Sequence, residues 1–258
     1  KHLVQALNTH RVNKNFRTEV LRRYALAEQV AGRLLSDAAS DGAAVALLGI
    51  FEQGFYDQVG FGTGPYTIHY RFDPASLMVP YPERSPVRLG PDDWHEIARC
   101  LATRKRSHGG VALDSATVYR AELAWVSAGF GLGFRAVDGE LTHFVYCSAK
   151  GEDGPYQVEA LAYRDAAGLL ELLGVLRSLG DQVRSVVLME PPELQLQDLI
   201  RHPNRQRIVT KGTDFAAGGS AHAWWQLRVL DLEACVGAIV HTGSPVRFNL
   251  ELRDPMSH

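Results

Sequence analysis

The residues best suited to chemistry gather in one stretch, AVALLGIFEQGFYDQVGFGTGPY, residues 44–66. Its Tyr56 carries a phenol that can hand a proton to a leaving group in a transition state. Phe55 beside it supplies an aromatic wall. Glu52, Asp57 and His69 are the titratable neighbours that could take a proton, and none stands out as a base. Upstream, Arg22-Arg23-Tyr24-Ala25-Leu26-Ala27 stands where a helical pattern opens. Arginines at a helix N-terminus oppose the macrodipole unless an anion sits there, and backbone N–H groups at that end hold phosphates well. The blander reading is an aromatic core pair and an amphipathic helix with a basic flank.

Those side chains need elements to hold them. Residues 45–49 read as a strand buried on both faces. Residues 55–56 fall on the short helix after it, beside the strand's C-terminal end, where open α/β sheets bind ligands. Residues 20–41 read as a helix, with Leu26, Val30, Leu34 and Ala38 recurring at i+4 and Gly42 as its C-cap. Residues 66–72 alternate as a strand.

Prolines 74, 80, 82 and 86 make residues 73–86 a stiff linker and a first domain boundary. A second unit follows: a strand at 87–89, a helix opened by Pro91-Asp92-Asp93, and a helix at 116–125. A hairpin turns at Asp138-Gly139. A strand at 157–163, a helix capped by Asp165 and a strand at 183–189 complete it. Residues 203–220 read as a polar, glycine-rich second boundary or crossover. Residues 223–229, 232–239 and 246–252 read as strand, helix and strand of a third unit.

Bulk composition excludes several classes. The net charge of -2, with 22% charged residues, leaves no electrostatic footprint for nucleic acid or an anionic membrane surface. No apolar run approaches a membrane span. Cys100, Cys147 and Cys235 form no CxxC pair and read as reduced, buried thiols, which points to the cytoplasm. The ten histidines form no HxxxH pair, so no metal site is expected. The glycine-rich stretches at 129–133 and 218–222 match neither a dinucleotide fingerprint nor a nucleophile elbow. With no Met at residue 1 and a stop just after an apparent strand, both ends read as cut.

The helix at 22–41, LLGIFEQGFYDQVGFGTGPY, RFDPASL, VRLGPDDWHEIA and AWWQLRVLDLEACVGAI…VRFNLELRDP together resemble the enhanced intracellular survival (Eis) family of GNAT N-acetyltransferases. The resemblance implies an α/β (α+β) fold: tandem GNAT-like mixed-sheet domains followed by the start of a sterol-carrier-like domain. Residues 1–78 would be the acetyl-CoA side of the first domain, 79–203 the second, and 204–258 a linker and the opening of the third. It implies acetyl-CoA as co-substrate, a primary amine as acceptor (aminoglycoside, polyamine or lysine-like), no metal, and a homo-oligomer, often a hexamer. Tyr56 maps to the family's acid, which protonates the departing CoA thiolate. Arg17, Arg22, Arg23, Ala25, Ala27 and Phe55 map to the cofactor side, with Ala25 in place of the signature glycine. The family's other catalytic group, the carboxylate at the end of the third domain, falls beyond this chain. A non-catalytic module with a degenerate CoA site is the alternative that the same residues leave open.

Overall fold

The computed structural model describes residues 14–49, 54–106, 116–203, 214–239, 243 and 247–254, with side chains from Leu26 onward. Two units emerge: Lys1–Tyr66 with Ala223–His258, and Thr67–His222. This differs from the three consecutive segments expected. Residues 223–229, expected to open a third unit, return to the first.

In the first unit, helix α1 (Lys14–Ser40) leads through Gly42, in the left-handed region at φ +87°, into strand β1 (Val45–Gly49). A 3-10 turn, Tyr56–Val59, follows, then the short β2 (Gly62–Thr63). The central strand of this sheet is β10 (Trp225–Val229), antiparallel to both neighbours, with Leu227 opposite both Leu47 and Gly62. A one-turn helix, Leu232–Gly237, is capped by Asp231, whose carboxylate accepts from the Ala234 N–H at 2.9 Å. Residues 247–252 carry no strand assignment, so the strand expected at 246–252 is not seen over its described residues. The periodic positions Leu26, Val30 and Leu34 of α1 are exposed, while Ala31, Leu35 and Ala38 are half-buried.

The second unit is a seven-stranded mixed sheet in the order β4-β5-β6-β7-β8-β3-β9. Its strands are β3 (Thr67–Phe72), β4 (Val87–Leu89), β5 (Gly129–Arg135), β6 (Leu141–Ala149), β7 (Tyr156–Ala162), β8 (Val186–Met189) and β9 (Gly218–His222). Among the described residues, β7 and β8 are the one parallel pair, joined at Tyr156–Val186 and Gln157–Val187. The helix between them, α4 (Ala166–Ser178), packs Leu172, Leu173, Val175 and Leu176 into the main core with Phe72, Val145, Val158 and Leu188. Helices α2 (Trp94–Ala102) and α3 (Ala116–Trp125) cover a second core around Phe144 and Tyr146. Cys100 and Cys147 are buried free thiols, pushed up to about 11 and about 12 by burial, and so chemically quiet at neutral pH.

The proline-dense stretch at 73–86 is not a linker. Leu77 and Val79 are buried in the main core. Arg177 of α4 donates to the Val79 carbonyl, and its guanidinium lies 4.0 Å over the Tyr81 ring. Proline lacks a ladder N–H, but it does not stop an extended segment from packing against a helix. Strand β9 also replaces part of the expected crossover, pairing with β3 through Tyr70–Gly219.

Candidate functional site

Tyr56 opens the 3-10 turn that follows β1. The turn closes because Gly60 takes φ +83°, which glycine adopts without strain. Gly60 donates to the Asp57 carbonyl and Phe61 to the Tyr56 carbonyl, both at 3.1 Å. Val59 and Phe61 are buried and pin the turn, leaving Asp57 and Gln58 exposed. The Tyr56 ring is half-buried between Phe55 (centroids 5.0 Å apart, 82°) and Phe61 (5.8 Å, 72°), both edge-to-face. Its hydroxyl makes no hydrogen bond among the described residues. A phenol held by two rings with its hydroxyl unengaged is suited to donate to something that arrives from outside.

The turn is also held from behind by residues the sequence did not single out. On β10, Gln226 is fully buried and its Nε2 donates to Asp57 Oδ1 at 2.7 Å. Arg228, also buried, donates from one terminal nitrogen to the Val59 carbonyl and from the other to both oxygens of Asp254, at 2.9 and 2.7 Å. The alternation rule sends Gln and Arg outward from such a strand and the aromatic and aliphatic residues inward. Here Trp225 and Val229 are exposed and the polar pair is inside, because Asp57, the Val59 carbonyl and Asp254 supply its partners.

Helix α1 is already running at Lys14, so Arg22–Ala27 lies about two turns inside it rather than at its start. Nothing from Lys14 to Ala25 breaks a helix, since no Gly or Pro intervenes. The N–H groups of Arg22–Ala27 therefore serve helical carbonyls. The side chains of Arg17, Arg22, Arg23 and Ala25 lie outside the described ones; Ala27 is exposed. Glu52 lies outside the described residues. Asp57 is engaged by Gln226. His69 belongs to the second unit, 6.5 Å ring to ring from His222; partial burial and that neighbour hold it below the usual imidazole range.

The second unit carries its own polar groups. The N-terminus of α4 is filled by Asp165, whose carboxylate accepts from the Gly168 N–H at 2.8 Å. A carboxylate already occupies the place where an anionic ligand would bind. An open groove of about 770 Å³ lies on the sheet, lined in part by Arg71, Trp125, Lys150, Gln157, Glu159 and Asp214. No sequence-predicted site residue lines it.

No protein-family model and no curated protein matches the sequence. Solved structures do. Eis1 from Mycobacterium abscessus superposes with a TM-score of 0.63 at 21% identity, over 83% of this chain and 55% of its own. A GCN5-related N-acetyltransferase from Kribbella flavida gives 0.56 at 19% identity, over 81% and 48%. One from Anabaena variabilis gives 0.61 at 10% identity, over 79% and 50%. The fold is that of the GCN5-related N-acetyltransferases. The chain spans about half the length of each of these structures. Among the described residues, no helix is long and apolar enough to cross a membrane.

Proposed function

We propose that the complete protein transfers an acetyl group from acetyl-CoA to a primary amine, with Tyr56 as the acid. The amine nitrogen would form a bond to the thioester carbonyl carbon and lose a proton to solvent water. The carbon–sulfur bond would break, and the departing thiolate would take the proton of the Tyr56 hydroxyl. Solvent would return a proton to the Tyr56 phenolate at the end of the turnover. The observation that carries this reading is the Tyr56 turn itself: a phenol on the turn that follows β1, framed by two rings, its hydroxyl without a hydrogen-bond partner among the described residues. The likeness of fold to N-acetyltransferases supports it. The acceptor class rests on the sequence resemblance alone. The test is thiol release from acetyl-CoA by the complete protein, with polyamines and aminoglycosides as acceptors, before and after Tyr56→Phe.

The helical placement of Arg22–Ala27 leaves a second reading to be tested. Arg22–Ala27 sits inside α1, where its N–H groups are spent on the helix. A protein whose phosphate cradle is lost would be a GNAT-shaped binding module rather than an enzyme. Calorimetric titration of the complete protein with acetyl-CoA separates the two: saturable binding supports the transferase, and no heat supports the module.

A further inference from the structure

We propose that Gln226 and Arg228 of β10 are positioning residues for Tyr56, a clamp that fixes where its hydroxyl can point. This rests on the reading of Tyr56 as the acid. Tyr56 is the first residue of a four-residue turn, and its side chain goes where the turn's backbone goes. The clamp grips the next residue through the Asp57 carboxylate and the last through the Val59 carbonyl. Asp254 in turn accepts two hydrogen bonds from the other terminal nitrogen of the guanidinium. Gln226 and Arg228 are two apart on one strand, so both project from the same face toward the turn. A proton donor displaced by about 1 Å loses much of its rate advantage, so fixing the turn matters to the chemistry.

Packing alone does not account for the pair. Among the described residues, Gln226 Oε1 and Arg228 Nε are buried with no hydrogen-bond partner. Leaving a buried polar atom unpaired is costly, and apolar side chains of similar volume are often as stable as a buried ionic group. A strand selected only for stability would carry apolar residues at both positions. Retaining Gln and Arg there, with orphan atoms, is what a functional constraint on the turn produces.

The experiment uses the complete protein and steady-state thiol release from acetyl-CoA, with thermal melting alongside. Arg228→Lys keeps the charge but loses the fork, so it cannot hold Val59 and Asp254 together. It is expected to lower kcat by at least about tenfold while the KM for acetyl-CoA moves by less than about twofold. In the Tyr56→Phe background it is expected to lower kcat no further, because it acts through the same hydroxyl. Asp57→Ala removes one grip at an exposed side chain; it carries the same prediction and decides the matter where Arg228→Lys does not fold. A lowered melting temperature with undiminished kcat, or an effect that multiplies with Tyr56→Phe, overturns the clamp. A slow Tyr56→Phe enzyme beside an unimpaired Arg228→Lys enzyme fails the clamp alone. Tyr56→Phe turnover equal to that of the unaltered protein fails the underlying reading and the clamp with it.

Discussion

Asp57 accepts a 2.7 Å hydrogen bond from Nε2 of Gln226, a residue 169 positions further along the chain. The whole second unit, Thr67–His222, intervenes between the two in sequence. The turn that carries Tyr56 is therefore completed by a strand made much later, and the geometry behind Tyr56 depends on β10 being in register with β1 and β2.

That register has a steric signature at Gly64. The Gly64 N–H donates to the Trp225 carbonyl at 2.7 Å. A Cβ added at Gly64 would lie 2.8 Å from that same oxygen, whereas one at Gly62 would find only an ordinary contact at 3.9 Å. Gly64→Ala is expected to cost about 1–3 kcal/mol by overpacking against backbone. Gly62→Ala is expected to stay within about 0.5 kcal/mol, the range of ordinary surface changes. Chemical denaturation of both variants checks the contrast; equal midpoints would place β2 and β10 further apart than described.

Gly174 makes a parallel case in the second unit. Alanine is favoured over glycine by about 1 kcal/mol in a helix interior. At Gly174, however, a Cβ would come within 2.5 Å of the Pro80 carbonyl oxygen. The clash outweighs the propensity gain, and Gly174→Ala is expected to destabilise by about 1–3 kcal/mol. If residues 73–86 were a free linker, the same substitution would stabilise instead, which a thermal melt distinguishes.

Acid sensitivity follows from His143 and Glu171. His143 is buried, its Nε2 lies 2.9 Å from Glu171 Oε2, and Arg84 donates to both Glu171 oxygens at 2.8 and 3.0 Å. The Arg84 guanidinium holds the Glu171 carboxyl below its usual range, and burial holds His143 below the usual imidazole range against the pull of Glu171. A depressed carboxyl contributes stability that is present above its unfolded pKa and lost as pH falls through its folded one. A depressed imidazole works in the same direction: below about pH 6.5 the unfolded chain takes up a proton that the folded state resists. Stability is expected to fall from about pH 6.5 downward and again below about pH 4.3. Urea midpoints across that range test it; Glu171→Gln should remove the lower part of the loss, and a flat profile would contradict the assignment.

How much of this was legible depended on whether the signal was local. Val45–Gly49, Val87–Leu89 and Ala116–Trp125 form with the expected bounds, and Asp165 caps its helix as expected, because periodicity and capping act within a few residues. Tyr56 is singled out by the sequence because the FYDQVGFG pattern is contiguous. Gln226 and Arg228 are not, because burial of a polar pair is decided by partners at Asp57, Val59 and Asp254 that no window on β10 contains. The start of α1 was misplaced for a related reason. The apolar stripe begins near Leu26, but helix formers without a breaker carry the backbone back to Lys14. Residues 73–86 pack despite their prolines, because proline density reports the absence of regular structure, not the absence of a packing partner.

The central claim is that the Tyr56 hydroxyl supplies a proton in acyl transfer. The most direct measurement is single-turnover thiol release from acetyl-CoA by the complete protein, with a saturating amine acceptor, comparing Tyr56→Phe with the unaltered enzyme. General acids are worth about 10²–10⁴-fold, so the phenylalanine enzyme should be at least about a hundredfold slower. It should be unchanged in melting temperature, since the ring contacts with Phe55 and Phe61 survive. Equal rates for the two enzymes would contradict the account.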